Sequence, residues 1–290
     1  MNGTIESMRQ KIERTKELGS VVRTMKALAA SSIGQYEESV SALADYYRTV
    51  VLGLSICLGK EAVSPRRAVL NPIKTDIGAV VFGSDQGLVG QFNEMLTDFV
   101  SQELKNLPGE KKLWAVGERI YVRLLEEGLP VAGLFHVPNS VEGITPLVGK
   151  LLQKTGKGAF YLFHNRPLRT SAVYEQASIR MLPLDRKWII EKTQRQWITD
   201  KLPEVLGDTE QTLSALIREY LFVTIFKACA ESLAAENASR LAAMQRAEKN
   251  IGEMLEELQQ TFHHQRQNAI DEELFDIVAG FEALKENGVL

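Results

Sequence analysis

Apolar side chains recur every third or fourth residue between positions 5 and 57, and polar side chains fill the positions between them. This spacing gathers the apolar residues on one face of an α-helix, and a 3,4 repeat kept for about seven heptads is typical of a coiled coil. We therefore predict one long helix over residues 1–62. Its stripe comprises Ile5, Met8, Ile12, Thr15, Gly19, Val22, Lys26, Ala29, Ile33, Tyr36, Val40, Leu43, Tyr47, Val50, Leu54 and Cys57.

A second helical pattern runs over residues 207–290, with Asp208 or Thr209 as its N-cap. Between about residues 216 and 235 it is apolar nearly all round, which is typical of a helix buried on several sides. From Asn237 onward only a stripe remains, so we expect this part to leave the middle domain. The apolar positions include Leu213, Leu216, Tyr220, Val223, Leu233, Leu241, Met244, Ile251, Leu255, Leu258, Phe262, Leu274, Ile277, Phe281 and Leu284.

The middle of the chain, residues 63–206, has a different pattern. All nine prolines lie between Pro65 and Pro203, so they interrupt neither terminal helix. Short apolar runs alternate here with helical spacing, which predicts a Rossmann-like α/β domain with a mostly parallel sheet. The expected strands are 77–82, 113–117, 158–164 and 177–182, and the expected helices are 92–105 and 120–127.

Composition narrows the possible partners. The net charge of −3 provides no basic face for nucleic acid. Cys57 and Cys229 lie far apart within apolar stretches, which indicates buried, reduced thiols. The N-terminus does not resemble a signal or transit peptide. The longest nearly apolar run, residues 50–59, is half of what a bilayer span needs, so we expect membrane association only through partners.

A glycine-rich turn follows the first predicted strand and contains Gly83, Asp85, Gly87 and Gly90. A strand, a turn and a helix start form the usual context for phosphate binding. Asp85, however, stands where a dinucleotide fingerprint needs its second glycine, and its carboxylate would repel phosphate. We favour a structural turn in which Asp85 caps the next helix, with nucleotide binding as the lesser alternative.

Other chemical motifs are missing. The chain contains no phosphate loop, H-E-x-x-H, C-x-x-C or G-x-S-x-G sequence, so we expect no catalytic, cofactor or metal site. His263 and His264 point about 100° apart on a helix, and a solvated pair is the favoured interpretation over a metal site. Lys26 lies on the apolar stripe, where its charge is unfavourable unless a group outside the helix pair meets it.

Three ordered regions, the last of them in two pieces, resemble the γ subunits of F-type ATP synthases. VVRTMKALAAS (21–31) resembles the N-terminal signature of that family, and GSDQGLVGQFN (83–93) its glycine-rich turn. ESLAAENASRLAAM (231–244) and RQNAIDEEL (266–274) resemble its C-terminal block. The chain departs from the family pattern at Ser32, Val89 and Asp271, and it lacks the chloroplast-type cysteine pair. Its N-terminal sequence, residues 20–28, is closer to that of a divergent, sodium-associated bacterial subgroup.

The resemblance implies a mechanical role. The terminal helices would form an antiparallel coiled coil inside a ring of α and β subunits, touching β through Met25, Lys26, Arg240, Arg266 and Gln267. The α/β domain would rest on the ε subunit and the membrane ring of c subunits, on the cytoplasmic face of a bacterial inner membrane. The chain would then be the central rotor stalk that couples ion flow to ATP synthesis or hydrolysis, with the chemistry on β.

Two other classes of protein share parts of this pattern. A nucleotide-binding enzyme with coiled-coil arms would need a proper glycine fingerprint, which is missing. A coiled-coil adaptor with an α/β domain would repeat leucine more regularly along its seam. Co-purification with α and β subunits separates the three hypotheses.

Overall fold

The computed structural model describes residues 2–60, 76–155, 158–168, 174–184, 201 and 204–286, with side chains described from residue 5 to residue 279. The chain divides into two compact units. One combines Met1–Leu28 with Leu241–Leu290, and the other is Ala29–Arg240. The predicted limits of the middle domain, 63 and 206, remain a prediction, and residues 61–75 and 202–203 lie outside the described part.

Helix α1 spans Asn2–Lys60. Every position of its predicted stripe is buried or half-buried, whereas most of the positions between them are exposed. Gly19 approaches Ile251 so closely that an added Cβ would lie 3.3 Å from its side chain. In the other unit, the Tyr47 ring lies 5.9 Å from that of Tyr220. Early residues of α1 thus meet late residues of the C-terminal helix, and the antiparallel coiled coil is confirmed.

The C-terminal helix, α5, spans Thr209–Glu286. Asp208 is its N-cap, since its Oδ1 accepts a 2.9 Å hydrogen bond from the Glu210 N–H. The apolar positions of α5 up to Phe262 are buried or half-buried, as predicted. Leu274 and Ile277 are exposed, contrary to the stripe prediction. Phe281 and Leu284 lie outside the described side chains.

The exposure of Leu274 has a geometric reason. With Gly19 beside Ile251, the antiparallel pairing brings the first turn of α1 opposite the residues just before position 270 of α5. The turns of α5 after that position have no part of α1 beside them. Their apolar side chains continue the periodic pattern of the sequence, but no described part of the chain packs against them.

The α/β domain contains five strands in the order β3-β2-β1-β4-β5. β1, β2, β3 and β4 run parallel, and β5 is antiparallel to β4. The mostly parallel sheet is therefore confirmed. In chain order the elements are β1 (Ile77–Phe82), α2 (Phe92–Lys105), β2 (Lys111–Val116), α3 (Glu118–Glu126), β3 (Val131–Phe135), α4 (Ile144–Leu152), β4 (Ala159–Pro167) and β5 (Tyr174–Leu182).

Two elements were absent from the sequence-based prediction. β3 is an edge strand of only five residues whose sequence, VAGLF, is apolar, although its side chains are alternately exposed and half-buried. α4 is only nine residues long, begins after Gly143 and contains Pro146 in its first turn. Proline is tolerated in a first turn, because the N–H groups there have no partner within the helix.

The sheet buries both faces. Ala79, Val81 and Phe163 pack toward α2 and α3 on one face. Val80 and Leu162, one residue away in the same strands, pack on the other face with residues of α4 and of the long helices. Alternation along a strand explains this division. Cys57 and Cys229 are both buried thiols outside any disulfide, as predicted.

Candidate functional site

The glycine-rich turn connects β1 to α2, and two of its glycines are required by the backbone. A Cβ at Gly83 would lie 2.3 Å from the Ile120 Cβ, which is impossible without displacing α3. Gly90 has a φ of 61°, a conformation that side chains disfavour. Gly87 has only ordinary contacts around it. The start of the turn therefore packs closely against the first residues of α3.

Asp85 links the turn to two other segments of the domain by hydrogen bonds. Its Oδ1 accepts a hydrogen bond from the Glu118 N–H at 2.9 Å, and its Oδ2 accepts one from the Val137 N–H at 2.9 Å. The prediction that Asp85 caps the next helix, α2, is wrong, since α2 begins after Gln91 with no side-chain cap. Asp85 instead caps α3. The sequence could not show this, because the capped helix begins thirty-three residues later in the chain.

The position of Asp85 also bears on nucleotide binding. In parallel α/β sheets, ligands bind beyond the carboxyl ends of the strands, often with phosphate at a helix N-terminus. Here the Asp85 carboxylate lies at the N-terminus of α3, where it interacts favourably with the helix dipole. A phosphate in the same place would meet that negative charge. This geometry disfavours the dinucleotide-binding alternative.

Helix α5 packs directly on this turn. The Ser239 hydroxyl donates to the Val89 carbonyl at 2.5 Å, and the Ser232 hydroxyl donates to the Phe82 carbonyl at 3.1 Å. Ala235 is fully buried against Val89 and its neighbours. These serines and alanines belong to the ESLAAENASRLAAM stretch, so that motif forms the contact between the C-terminal helix and the end of the sheet.

Arg240, one of the predicted contact residues, already has a partner within the chain. Its guanidinium lies 2.5 Å from the Glu236 carboxylate on the same helix, and the two side chains are only 14% and 7% exposed. Burial raises the pKa of Glu236, while the nearby Arg240 charge opposes that shift. Each charge therefore compensates the other in a site that water barely reaches.

His164 and Glu231 form a buried polar pair that the sequence analysis missed. His164 lies on β4 and its Nε2 is 2.9 Å from the Glu231 Oε2 on α5, with side-chain exposures of 1% and 19%. Burial pushes the pKa of Glu231 upward, but the hydrogen bond from His164 and the nearby positive charges outweigh it, so the net pKa is lowered. A lone histidine at the end of an apolar strand gave no signal of its partner sixty-seven residues later.

The charge of Lys26 is compensated within the helix pair. Its Nζ lies 2.5 Å from the Glu248 Oε2 of α5, and the two side chains are about one-third exposed, at 35% and 34%. The expectation that a group outside the helix pair must meet this charge is therefore wrong. Glu248 occupies the facing seam position, so each helix contributes one charge to an otherwise apolar contact. The neighbouring Met25 is half-buried.

Arg266 and Gln267 are exposed on α5. At 1.5 Å per residue they lie about 27 Å along the helix from Glu248. The predicted contact residues are thus spread along the long helices and do not converge on one site. Within the described part of the chain, no group of three or more His, Cys, Asp or Glu side chains is placed to hold a metal ion.

The described helices also include none that is long and apolar enough to cross a bilayer. A shallow groove of about 290 Å³ lies between α1 and the loop before α4. It is lined by polar and small side chains and holds no nucleophile–base pair. The features that stand out are therefore mechanical: a sheet-to-helix junction and a two-helix seam with exposed outer faces.

Comparison with known proteins agrees with this description. The ATP synthase family model matches residues 4–284. Among curated relatives, the ATP synthase gamma chain of Pasteurella multocida is 27% identical over 96% of this chain and 99% of its own length. The rotor of the Euglena gracilis mitochondrial ATP synthase in rotational state 1 shares the fold, with a TM-score of 0.62 and 15% identity over 93% of this chain and 100% of that one.

A second Euglena gracilis structure, of the OSCP/F1/c-ring part in rotational state 3, contains a chain that matches with a TM-score of 0.64 and 15% identity. It covers 100% of this chain and 97% of its own. The resemblance found in three sequence stretches is therefore confirmed over nearly the full length, and the chain belongs to the ATP synthase family, among its gamma chains.

Proposed function

We propose that this chain is the central rotor stalk of an F-type ATP synthase and acts by contact alone, with the chemistry on the β subunits. Ion flow through the membrane sector turns the stalk, and the asymmetric stalk biases each β site between conformations by binding them unequally. In the reverse direction, ATP hydrolysis on β turns the stalk. The adaptor alternative is not favoured, since full-length relatives are gamma chains.

One observation supports this function above the others. The last described turns of α5 present large apolar side chains to solvent, and no other described residue of the chain covers them. Contiguous exposed apolar surface in a folded protein marks a site of contact with a partner. A collar of subunits around α5 would cover these residues. They are Ile270, Leu274, Phe275, Ile277 and Val278.

Five residues are proposed to contact β: Met25, Lys26, Arg240, Arg266 and Gln267. Arg266 and Gln267 are exposed, and they are available for direct hydrogen bonds to a surrounding subunit. Lys26 and Arg240 already hold ion pairs, so their contacts with β would be made alongside Glu248 and Glu236. Contacts of the exposed Arg266 side chain with β would contribute only about 0–1 kcal/mol each, which allows them to form and break during rotation.

The α/β domain is proposed to rest on the ε subunit and the c-ring. The chain itself is a peripheral subunit of the F1 part, in agreement with the lack of a membrane-spanning helix among the described residues. We propose the cytoplasmic face of a bacterial inner membrane as its location. The sequence of residues 20–28 supports membership of the sodium-associated subgroup.

A rotation assay on the assembled complex tests the function. Glu127 is exposed at the end of α3, and a Glu127→Cys variant provides a site for a biotinylated bead, since the native Cys57 and Cys229 are buried. With the catalytic hexamer fixed to a surface through β, we expect the bead to rotate in one direction when ATP is added. Sustained hydrolysis by a complex whose bead stays still would contradict the proposal.

Purification gives the test against the adaptor alternative. A rotor stalk co-purifies with α and β in a fixed ratio, and its removal leaves a hexamer that no longer drives ion transport. An adaptor would leave ion transport intact when removed. The same preparation also tests the subgroup, since transport that requires sodium supports it and transport that depends on protons alone argues against it.

A further inference from the structure

Helix α5 meets the sheet largely through a smooth apolar face. The residues that it buries there are mostly small, and they pack against the side chains of β1 and β4. Apolar contact is non-directional and depends mainly on the area removed from water. By itself it holds a helix against a sheet without fixing the position of the helix along its own axis. The buried apolar residues of α5 in this stretch are Ala228, Cys229, Ala230, Leu233, Ala234 and Ala235, and Ser232 is buried among them.

The His164–Glu231 pair adds a directional contact within this face. His164 is the residue of β4 that stands between Phe82 of β1 and Ala177 of β5, so its ring projects from the interior of the sheet. Its Nε2 lies 2.9 Å from the Glu231 Oε2. The pair joins two side chains sixty-seven residues apart, and it is the charged member of a group that also includes the Ser232 and Ser239 hydroxyls.

The second nitrogen of His164 shows how the ring is arranged. Nδ1 is buried and has no hydrogen-bond partner among the described residues. The carboxylate accepts, so Nε2 carries the proton that it donates. One edge of the ring is therefore devoted to Glu231, and the other makes no competing bond.

We propose that His164 is a positioning residue of the rotor: through its hydrogen bond to Glu231 it holds α5 at one place on the sheet, so that rotation of the α/β domain is passed to the helix without slip. This inference rests on the proposed rotor function. Glu231 also lies 3.7 Å from the Lys227 Nζ, but Lys227 belongs to the same helix and is half exposed. That second contact cannot tie α5 to the sheet, which makes Lys227 a matched control.

Four variants of the assembled complex test the proposal. His164→Gln keeps an amide N–H near the place of Nε2, whereas His164→Met has a similar size and no donor. His164→Met with Glu231→Met removes both partners, and Lys227→Met removes only the contact within the helix. The measurements are ATP hydrolysis and the ratio of ions transported to ATP hydrolysed in membrane vesicles.

We expect His164→Met to lower the transport ratio several-fold while hydrolysis stays near the wild-type rate. His164→Gln and Lys227→Met should keep the ratio. The double variant should regain thermal stability, since no unpaired charge remains buried, but it should not regain the ratio. A normal ratio in His164→Met, or its full recovery in the double variant, would overturn the proposal, because the pair would then serve stability alone.

Hydrogen exchange of the full-length chain separates this inference from the rotor function. The α5 amides of residues 228–235 should exchange faster in His164→Met than in the wild type or in His164→Gln. Unchanged exchange in His164→Met contradicts the positioning role whatever the complex does. A wild-type chain that fails to assemble with α and β contradicts the rotor function, while the exchange result still decides the role of His164.

Discussion

At the scale of single residues, the chain uses carboxylates as internal ligands for its own polar groups. Asp85 binds two backbone N–H groups, Glu231 binds His164, and Glu236 binds Arg240. Each of these carboxylates joins segments or compensates a charge, and those of Glu231 and Glu236 are largely buried. Their removal should therefore affect stability more than the removal of a surface carboxylate does.

Asp85→Ala should destabilise the chain by about 2–4 kcal/mol, because it removes a helix cap and leaves two N–H groups without their acceptor. Asp85→Asn keeps one acceptor oxygen and should lose less. Urea unfolding followed by circular dichroism measures both. The control is Asp98→Ala, an exposed position on α2, which we expect to change little. Equal losses of unfolding free energy at positions 85 and 98 would show that the Asp85 hydrogen bonds stabilise the chain no more than a surface carboxylate does.

Glu231 should make stability depend on pH in a specific window. Its folded-state pKa lies below the ordinary value of 4.5, so its contribution is present above that value and is lost as pH falls through the lowered pKa. The difference in unfolding free energy between the wild type and Glu231→Gln should therefore shrink below about pH 4.5. Lys227→Met should keep most of this dependence. A difference that is constant from neutral to acid pH would contradict the assignment.

At the scale of elements, the sequence predicted the long helices well and the polar junctions poorly. The α1 stripe follows from periodicity alone, because burial repeats with the helical turn. The bonds of Asp85 and His164 join residues thirty-three and sixty-seven positions apart, and no local pattern encodes such a distance. The edge strand β3 and the helix α4 were missed because they are short, with five and nine residues, and therefore offer little periodic pattern.

The Lys26–Glu248 pair should stabilise the coiled coil modestly. For a pair that is one-third exposed, a double-mutant cycle with Lys26→Met and Glu248→Leu should give a coupling of about 0.5–1.5 kcal/mol. The double variant should be at least as stable as the wild type, since an apolar pair suits the seam. The more exposed pair Lys16–Glu13 is the control and should couple by about 0.2–0.5 kcal/mol. A double variant far less stable than either single one would argue against this view.

At the scale of the whole molecule, the exposed end of α5 should decide how well rotation is coupled to catalysis. Arg266→Ala should lower the ratio of ions transported to ATP hydrolysed, because the proposed contact with β loses a charged hydrogen bond. Gln267→Ala should have a smaller effect in the same direction. Lys105→Ala, on the exposed side of α2, is the control. Ratios that are equal in all three variants would place the contact with β elsewhere.

The carboxylate of Asp85 also bears on whether ATP and ADP can act on the rotor directly. Many folds of this class keep the crevice beyond their parallel strands open for nucleotides. Here that place is filled permanently by a group that belongs to the chain. We therefore expect the stalk not to draw on the ATP and ADP that the catalytic subunits use, so that any sensing of nucleotide supply falls to the subunits around it.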